Sequence, residues 1–283
     1  DGRFRIVLEE SGPIDIRVSI APAYYGENAV LRLLSEQAEK FSLDMLGLSP
    51  QDQEKVQYAV RNPYGMILST GPTGSGKTTM LYTLLKQLNT REVSIVTIED
   101  PIEYAIEGIN QIQVNARTGL TFANGLRSIL RQDPNIIMVG EIRDAETAGL
   151  AVNTALTGHL VLSTLHTNDA ATTLPRLLDL NMEPYLITAT VNIVIGQRLV
   201  RKICGACKTK HTLTKEEEKS LAKMEGALVF DKTKVLWHGR GCPECNMSGY
   251  YGRIGIYEVM PIDEAIREAM LKRLSSSDIK KIA

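Results

Sequence analysis

The sequence predicts an α/β fold, a parallel sheet covered by helices on both faces. From residue 66 onward, short apolar runs alternate with stretches of helical period. Strands that are apolar on both faces mark a sheet buried between two helix layers. One such run, Tyr64–Thr70, leads into Gly71-Pro72-Thr73-Gly74-Ser75-Gly76-Lys77-Thr78-Thr79, and helical sequence follows. Strand, glycine-rich loop and helix in that order form a phosphate-binding loop. The prominent acidic residues also follow strands directly, at the edge of a parallel sheet where ligands sit.

In chain order, Phe4–Leu8, Ile14–Ile20 and Asn28–Leu34 read as strands, with Ser11-Gly12-Pro13 as a turn. Three short strands cannot enclose a large core, so they read as the remainder of an α+β domain. The polar stretch Ser35–Lys40 is the expected linker. Ser49 caps and Pro50 opens a helix that Asn62-Pro63 stops. Strands are expected at Met66–Thr70, Val93–Ile98, Ile136–Val139 and His159–Leu165, with helices near 79–88, 122–132, 144–157 and 169–180. The apolar segment 185–200 reads as a further helix, Gly252–Met260 as a strand, and Asp263–Leu271 as a helix capped by Asp263. The start has neither an initiator Met nor an apolar signal segment, so the 283 residues read as a piece of a longer chain.

Composition narrows the function classes. Lys and Arg number 32 against 33 Asp and Glu, so no global field draws the chain to nucleic acid or an acidic membrane. Aromatic residues, at 5%, argue against a stacking surface for single strands. No run approaches the apolar length of a transmembrane helix. The four cysteines form two pairs, Cys204/Cys207 and Cys242/Cys245, separated by 34 residues. Two such knuckles suit tetrahedral Zn²⁺, with free or redox-active thiols as the alternative, and the spacer leaves room for a helix and a strand.

In the glycine-rich loop, Gly71, Gly74 and Gly76 permit positive φ and turn N–H groups inward as an anion nest. Lys77 then reaches the β- and γ-phosphates, and the Thr78 hydroxyl is placed for Mg²⁺. Glu141 ends the apolar strand 135–141 and suits a carboxylate that holds Mg²⁺ directly or through water. Glu99, Asp100 and Glu103 form a second acidic cluster, in which Pro101 is placed to aim Glu103 at an attacking water; a surface acidic loop is the alternative. His159 and His166 flank one strand, as packing residues or as a sensor of the γ-phosphate. Arg127, Arg131, Arg143, Arg17 and Arg32 are candidates for a charge clamp, each also explicable as surface arginine.

Taken together, GPTGSGKTT, TIEDPIEY, LRSILRQDPNIIMVGEIRD, TGHLVLSTLHTNDA and RLVRKICGAC…CPEC resemble the secretion-ATPase family of type II secretion and type IV pilus-assembly motors. The resemblance covers essentially the whole chain. It implies the end of a PAS-like domain (1–38), a linker (39–50) and a RecA-like ATPase domain (51–283). The latter would carry a zinc-binding subdomain at about 201–250 and a helical C-terminal part at 261–283. Lys77 and Thr78 would bind phosphate and Mg²⁺, Glu141 would be the Walker B acid, and Glu99, Asp100 and Glu103 the Asp box, with Glu103 catalytic. His159 and His166 match the His box, Arg17 and Arg32 the arginines that approach ATP as the N-terminal domain closes, and the cysteines the zinc-binding insertion of extension and secretion motors.

The same resemblance implies a cytoplasmic homo-hexamer peripheral to the inner membrane. It would work on a platform protein and docking proteins, with peripheral membrane contact and no nucleic acid. The rival expectation is a zinc-containing nucleic-acid translocase or DNA-transfer motor, motivated by the basic residues of 197–202 and 208–210 beside the knuckles.

Overall fold

The computed structural model describes residues 2–8, 12–35, 42–217 and 235–283. Residues 36–41, which hold most of the expected linker Ser35–Lys40 and the start of 39–50, and half of the spacer between the cysteine pairs, 218–234, lie outside them.

At the start, β1 (Gly2–Leu8), β2 (Gly12–Ala23) and β3 (Gly26–Ser35) form an antiparallel sheet in that order. The register sets Phe4 opposite Ile16 and Ile16 opposite Leu33, which gathers the apolar residues on one face. Ile16 is buried, whereas Phe4, Leu31 and Leu33 remain exposed.

Seven strands build the main sheet: β4 (Gly65–Thr70), β5 (Ile95–Glu99), β6 (Asn110–Gln113), β7 (Ile136–Val139), β8 (Leu160–Leu165), β9 (Val191–Ile203) and β12 (Tyr250–Pro261). Their order is β12-β9-β4-β8-β7-β5-β6, and each pair from β9 to β6 is parallel. Every residue of β4, β5, β7 and β8 is buried.

Alternate residues of these strands feed two cores. Ile67, Met138 and Leu162 pack with α1 (Leu43–Leu46), α2 (Pro50–Val60) and α3 (Lys77–Leu88) on one face. Met66, Leu68, Ile137, Val139 and Val161 pack on the other face with α4 (Phe122–Ile129), α5 (Ala145–Leu156), α6 (Thr173–Asp179), α7 (Pro184–Thr190), α8 (Glu264–Leu271) and α9 (Ser276–Ile282). The predicted caps form: Ser49 Oγ accepts from the Asp52 N–H at 3.1 Å and Asp263 Oδ1 from the Ile266 N–H at 2.9 Å.

One expectation is corrected. Residues 185–200 are not a single helix: α7 stops at Thr190, and Val191 begins β9, which pairs parallel with β4. Helix and buried strand cannot be separated by apolarity alone. The β-branched run Val191-Asn192-Ile193-Val194-Ile195 fits the open edge of β4, and that tertiary slot decides the outcome.

A smaller compact unit, Leu199–Ile256, contains the four cysteines and a hairpin of β10 (Lys208–His211) and β11 (Leu236–Gly239).

Leu126 is fully buried on α4, against the sheet. Leu126→Ala is expected to lower the stability of the main unit by about 2–5 kcal/mol through the cavity it leaves, measurable by chemical denaturation.

Candidate nucleotide site and metal centre

The phosphate loop joins β4 to α3. Gly71, Gly74 and Gly76 have φ of 143°, 77° and 93°, the region where side chains are strained. A Cβ at Gly71 would stand 2.3 Å from the Gln197 carbonyl oxygen, so the loop lies directly on β9. Gln197 is buried there: its Nε2 donates to the Ser75 carbonyl at 2.7 Å, and its Oε1 accepts from Ser69 Oγ at 3.1 Å. Ser75 Oγ is buried without a hydrogen-bond partner, the lone such side-chain atom among the described residues.

Lys77 is 8% exposed and donates to the carbonyls of Gly71 at 2.8 Å and Pro72 at 3.2 Å. Burial pushes its pKa below the usual lysine range, and the charge of Glu141 opposes that shift. An ammonium resting on the loop's own carbonyls, in a loop with an orphaned hydroxyl and three positive-φ glycines, fits a phosphate chain as the missing acceptor.

Glu141 follows β7 and is also 8% exposed. Its Oε2 lies 3.2 Å from His166 Nε2, and its Oε1 2.7 Å from Arg143. His166 follows β8, the neighbour of both β4 and β7, so the order of strands brings Lys77, Glu141 and His166 to one edge. Thr167 binds this edge to the loop strand: its N–H donates to Thr70 Oγ1 at 3.2 Å, and the two threonine hydroxyls meet. His159 lies at the other end of β8, about 20 Å away along six residues, with Nδ1 against the Thr154 carbonyl at 3.2 Å.

The acidic cluster divides. Glu99 is buried and accepts from Thr97, Tyr82 and Gln111. Burial raises its pKa, and those hydrogen bonds oppose the rise. Asp100 is exposed and Glu103 half-buried. Arg17 and Arg32, both exposed, stand opposite one another across β2 and β3, where like charges favour an anion between them. Arg127 is paired with Glu146 at 2.6 Å on the surface, and Arg131 donates to the Arg127 carbonyl at 3.0 Å. Sequence reasoning missed Gln197, Tyr82 and Gln111 as parts of the site.

In the smaller unit, the four cysteine sulfurs lie within 4.8 Å of one another. Cys204–Cys242, Cys207–Cys245 and Cys242–Cys245 are 3.8, 3.9 and 3.6 Å apart. Four ligands at a Zn–S distance of about 2.3 Å around a tetrahedron would be about 3.8 Å apart, far beyond a disulfide bond. Burial opposes ionisation of Cys245, but the N–H groups of Cys242 and Gly249 at 3.2 and 3.3 Å, together with the Cys242 and Cys207 thiols, outweigh it and lower its pKa to about 6. The cluster is therefore compatible with zinc.

Residues 1–283 match the family described as type II/IV secretion system protein. The chain belongs to that family. It is 46% identical to the type IV pilus assembly ATPase PilB of Myxococcus xanthus over 285 aligned residues, covering 100% of this chain and 50% of that protein. It is 46% identical to the type II secretion system ATPase E of Vibrio cholerae, covering 98% of this chain and 54% of the relative. The chain thus spans about half the length of these relatives. Its structure is similar to the crystal structure of the pilus retraction motor PilT with bound ADP, with a TM-score of 0.69 and 29% identity, over 99% of this chain and 68% of that one. The ATPase DotB of Legionella pneumophila shares the fold, with a TM-score of 0.67 and 23% identity over 100% of this chain and 67% of that one. The α/β fold with a parallel central sheet is thereby that of the PilT and DotB ATPases.

Gly71→Ala is expected to strain the loop against Gln197 and lower stability by about 1–3 kcal/mol, measurable by thermal denaturation.

Proposed function

We propose that this chain is the ATP-hydrolysing part of a motor for type II secretion or type IV pilus extension. The observation that supports it most directly is the convergence of Lys77, Glu141 and His166 at one edge of the sheet, beside a loop built for phosphate. On this reading the Lys77 ammonium exchanges the Gly71 and Pro72 carbonyls for the β- and γ-phosphate oxygens of ATP, and loop N–H groups from Gly71 to Thr79 take up the rest of the charge. Thr78 and Glu141 would hold Mg²⁺, which neutralises phosphate charge when bound. His166, within reach of Glu141, orients that carboxylate and is placed to sense the γ-phosphate. Glu103 acts as the base or positioning group for water.

Arg17 and Arg32 supply positive charge to the nucleotide when the N-terminal strands close on the ATPase domain, and opening after hydrolysis is the motor stroke. The assignment of 1–38 to a PAS-like domain, 39–50 to a linker and 51–283 to the ATPase domain belongs to the same reading. So do a homo-hexameric ring, an inner-membrane platform protein as its load, docking proteins, and a cytoplasmic place at the inner membrane. Among the described residues no helix is long and apolar enough to cross a membrane. Cys204, Cys207, Cys242 and Cys245 hold a structural Zn²⁺ that ties the ends of the smaller unit together.

Glu141→Gln is expected to lower ATP hydrolysis by roughly a hundredfold or more while retaining binding of a non-hydrolysable ATP analogue, whereas Lys77→Ala loses that binding. Steady-state phosphate release and calorimetry on preparations of matched oligomeric mass check this, and wild-type hydrolysis by Glu141→Gln would remove the residue from the chemistry. Elemental analysis is expected to find about one zinc per chain, lost in Cys245→Ser.

A further inference from the structure

Tyr82 lies on α3, the helix that begins at Lys77, and its side chain is fully buried. A phenol so placed needs partners for one proton and two lone pairs, and here all three are used. The hydroxyl donates to Glu99 Oε2 at the end of β5. It accepts from Gln111 Nε2 at 3.3 Å, on β6, and from the backbone N–H of Glu103 at 3.4 Å. Gln111 adds two holds on the same turn: its Oε1 accepts from the Ile106 N–H at 2.7 Å, and its Nε2, whose two protons are shared among Tyr82, Glu99 and the turn, is 3.2 Å from the Tyr104 carbonyl. The turn between β5 and β6 is thus gripped at the backbone of residues 103, 104 and 106. The grip comes from side chains of α3 and β6, and the end of α3 adds a further hold where Asn89 Nδ2 donates to the Glu107 carbonyl at 2.8 Å. The Tyr82 ring stacks edge-to-face on Tyr104, with centroids 4.7 Å apart, which fixes the phenol in place.

We propose that Tyr82 is a positioning residue for hydrolysis: its hydroxyl, held by Glu99 and Gln111, sets the place of Glu103 relative to the phosphate loop. The proposal rests on the reading of Glu103 as the group that handles the attacking water. Because Tyr82 and Lys77 share one helix, the phosphate-binding lysine is joined through that helix to the backbone N–H of Glu103 by one hydroxyl. Binding needs only the helix start, whereas hydrolysis needs the turn in register with it. The buried Glu99, whose hydrogen-bond partners are all neutral groups, anchors this connection and leaves the exposed and half-buried acids to solvent and substrate. High cost attaches to a broken buried network, so the geometry is held tightly when all partners are present.

The test compares Tyr82→Phe, Glu103→Gln and the double variant in the full chain, with kcat and KM for ATP, calorimetric affinity for a non-hydrolysable ATP analogue, and thermal stability measured for each. Tyr82→Phe keeps the ring and removes only the hydroxyl. It is expected to lower kcat by roughly tenfold to a hundredfold with analogue affinity within about twofold of wild type. On the Glu103→Gln background it is expected to cost nothing further, because both changes act through one group. Gln111→Met, which releases Ile106 from the other side, is expected to reproduce the kcat loss and decides the matter if Tyr82→Phe does not fold. A slow Glu103→Gln beside an unimpaired Tyr82→Phe, or losses that multiply in the double variant, overturns the proposal. Wild-type hydrolysis by Glu103→Gln overturns the reading of Glu103, and a kcat loss in Tyr82→Phe alongside it shows that the hydroxyl acts elsewhere.

Discussion

The Lys77 ammonium is withdrawn from water onto the carbonyls of Gly71 and Pro72, and the surrounding elements are arranged to make that tenable. A buried cation with only neutral acceptors carries a desolvation cost, which its lowered pKa expresses. That cost is the reserve from which anion binding draws, since a phosphate offers the ammonium full charge compensation. Such a site works only if the loop cannot collapse to rehydrate the lysine. Gly71 therefore sits hard against Gln197, and Gln197 ties the loop to the sheet through Ser75 and Ser69.

From this anchor the parallel sheet does the remaining work. With β8 beside β4, and β7 beside β8, residues far apart in sequence arrive at one edge. Glu141 and His166 meet at 3.2 Å because their strands are hydrogen-bonded neighbours running in the same direction. The buried Glu99 shows the same economy: a carboxyl inside the protein is tolerable when several donors surround it, and two of those donors, Tyr82 and Gln111, also hold the turn that follows β5.

The smaller unit follows a different physical logic. With 58 residues between Leu199 and Ile256, it has little room for an apolar core of its own, and among its described residues Cys204 and Cys245 are the buried side chains of its cysteine cluster. Small units of this kind gain stability from metal ligation more than from burial. The spacing of the sulfurs matches that requirement.

Much of the fold and site was legible in the sequence, for a common physical reason. Glycines that permit a positive-φ nest, a lysine and threonines at set spacing, paired cysteines, and caps at Ser49 and Asp263 are local signals, written in neighbouring residues. The buried strands β4, β5, β7 and β8 were visible as apolar runs because both of their faces are covered. Only the tertiary structure decided the rest. Whether Val191–Ile203 became helix or strand depended on the free edge of β4, and which histidine met Glu141 depended on strand order. Gln197, Tyr82 and Gln111 carry no motif: each looks like ordinary core or surface sequence until the sheet assembles. Strand order is a property of non-local hydrogen bonds, so residues whose role is to join strands acquire it only when those bonds form.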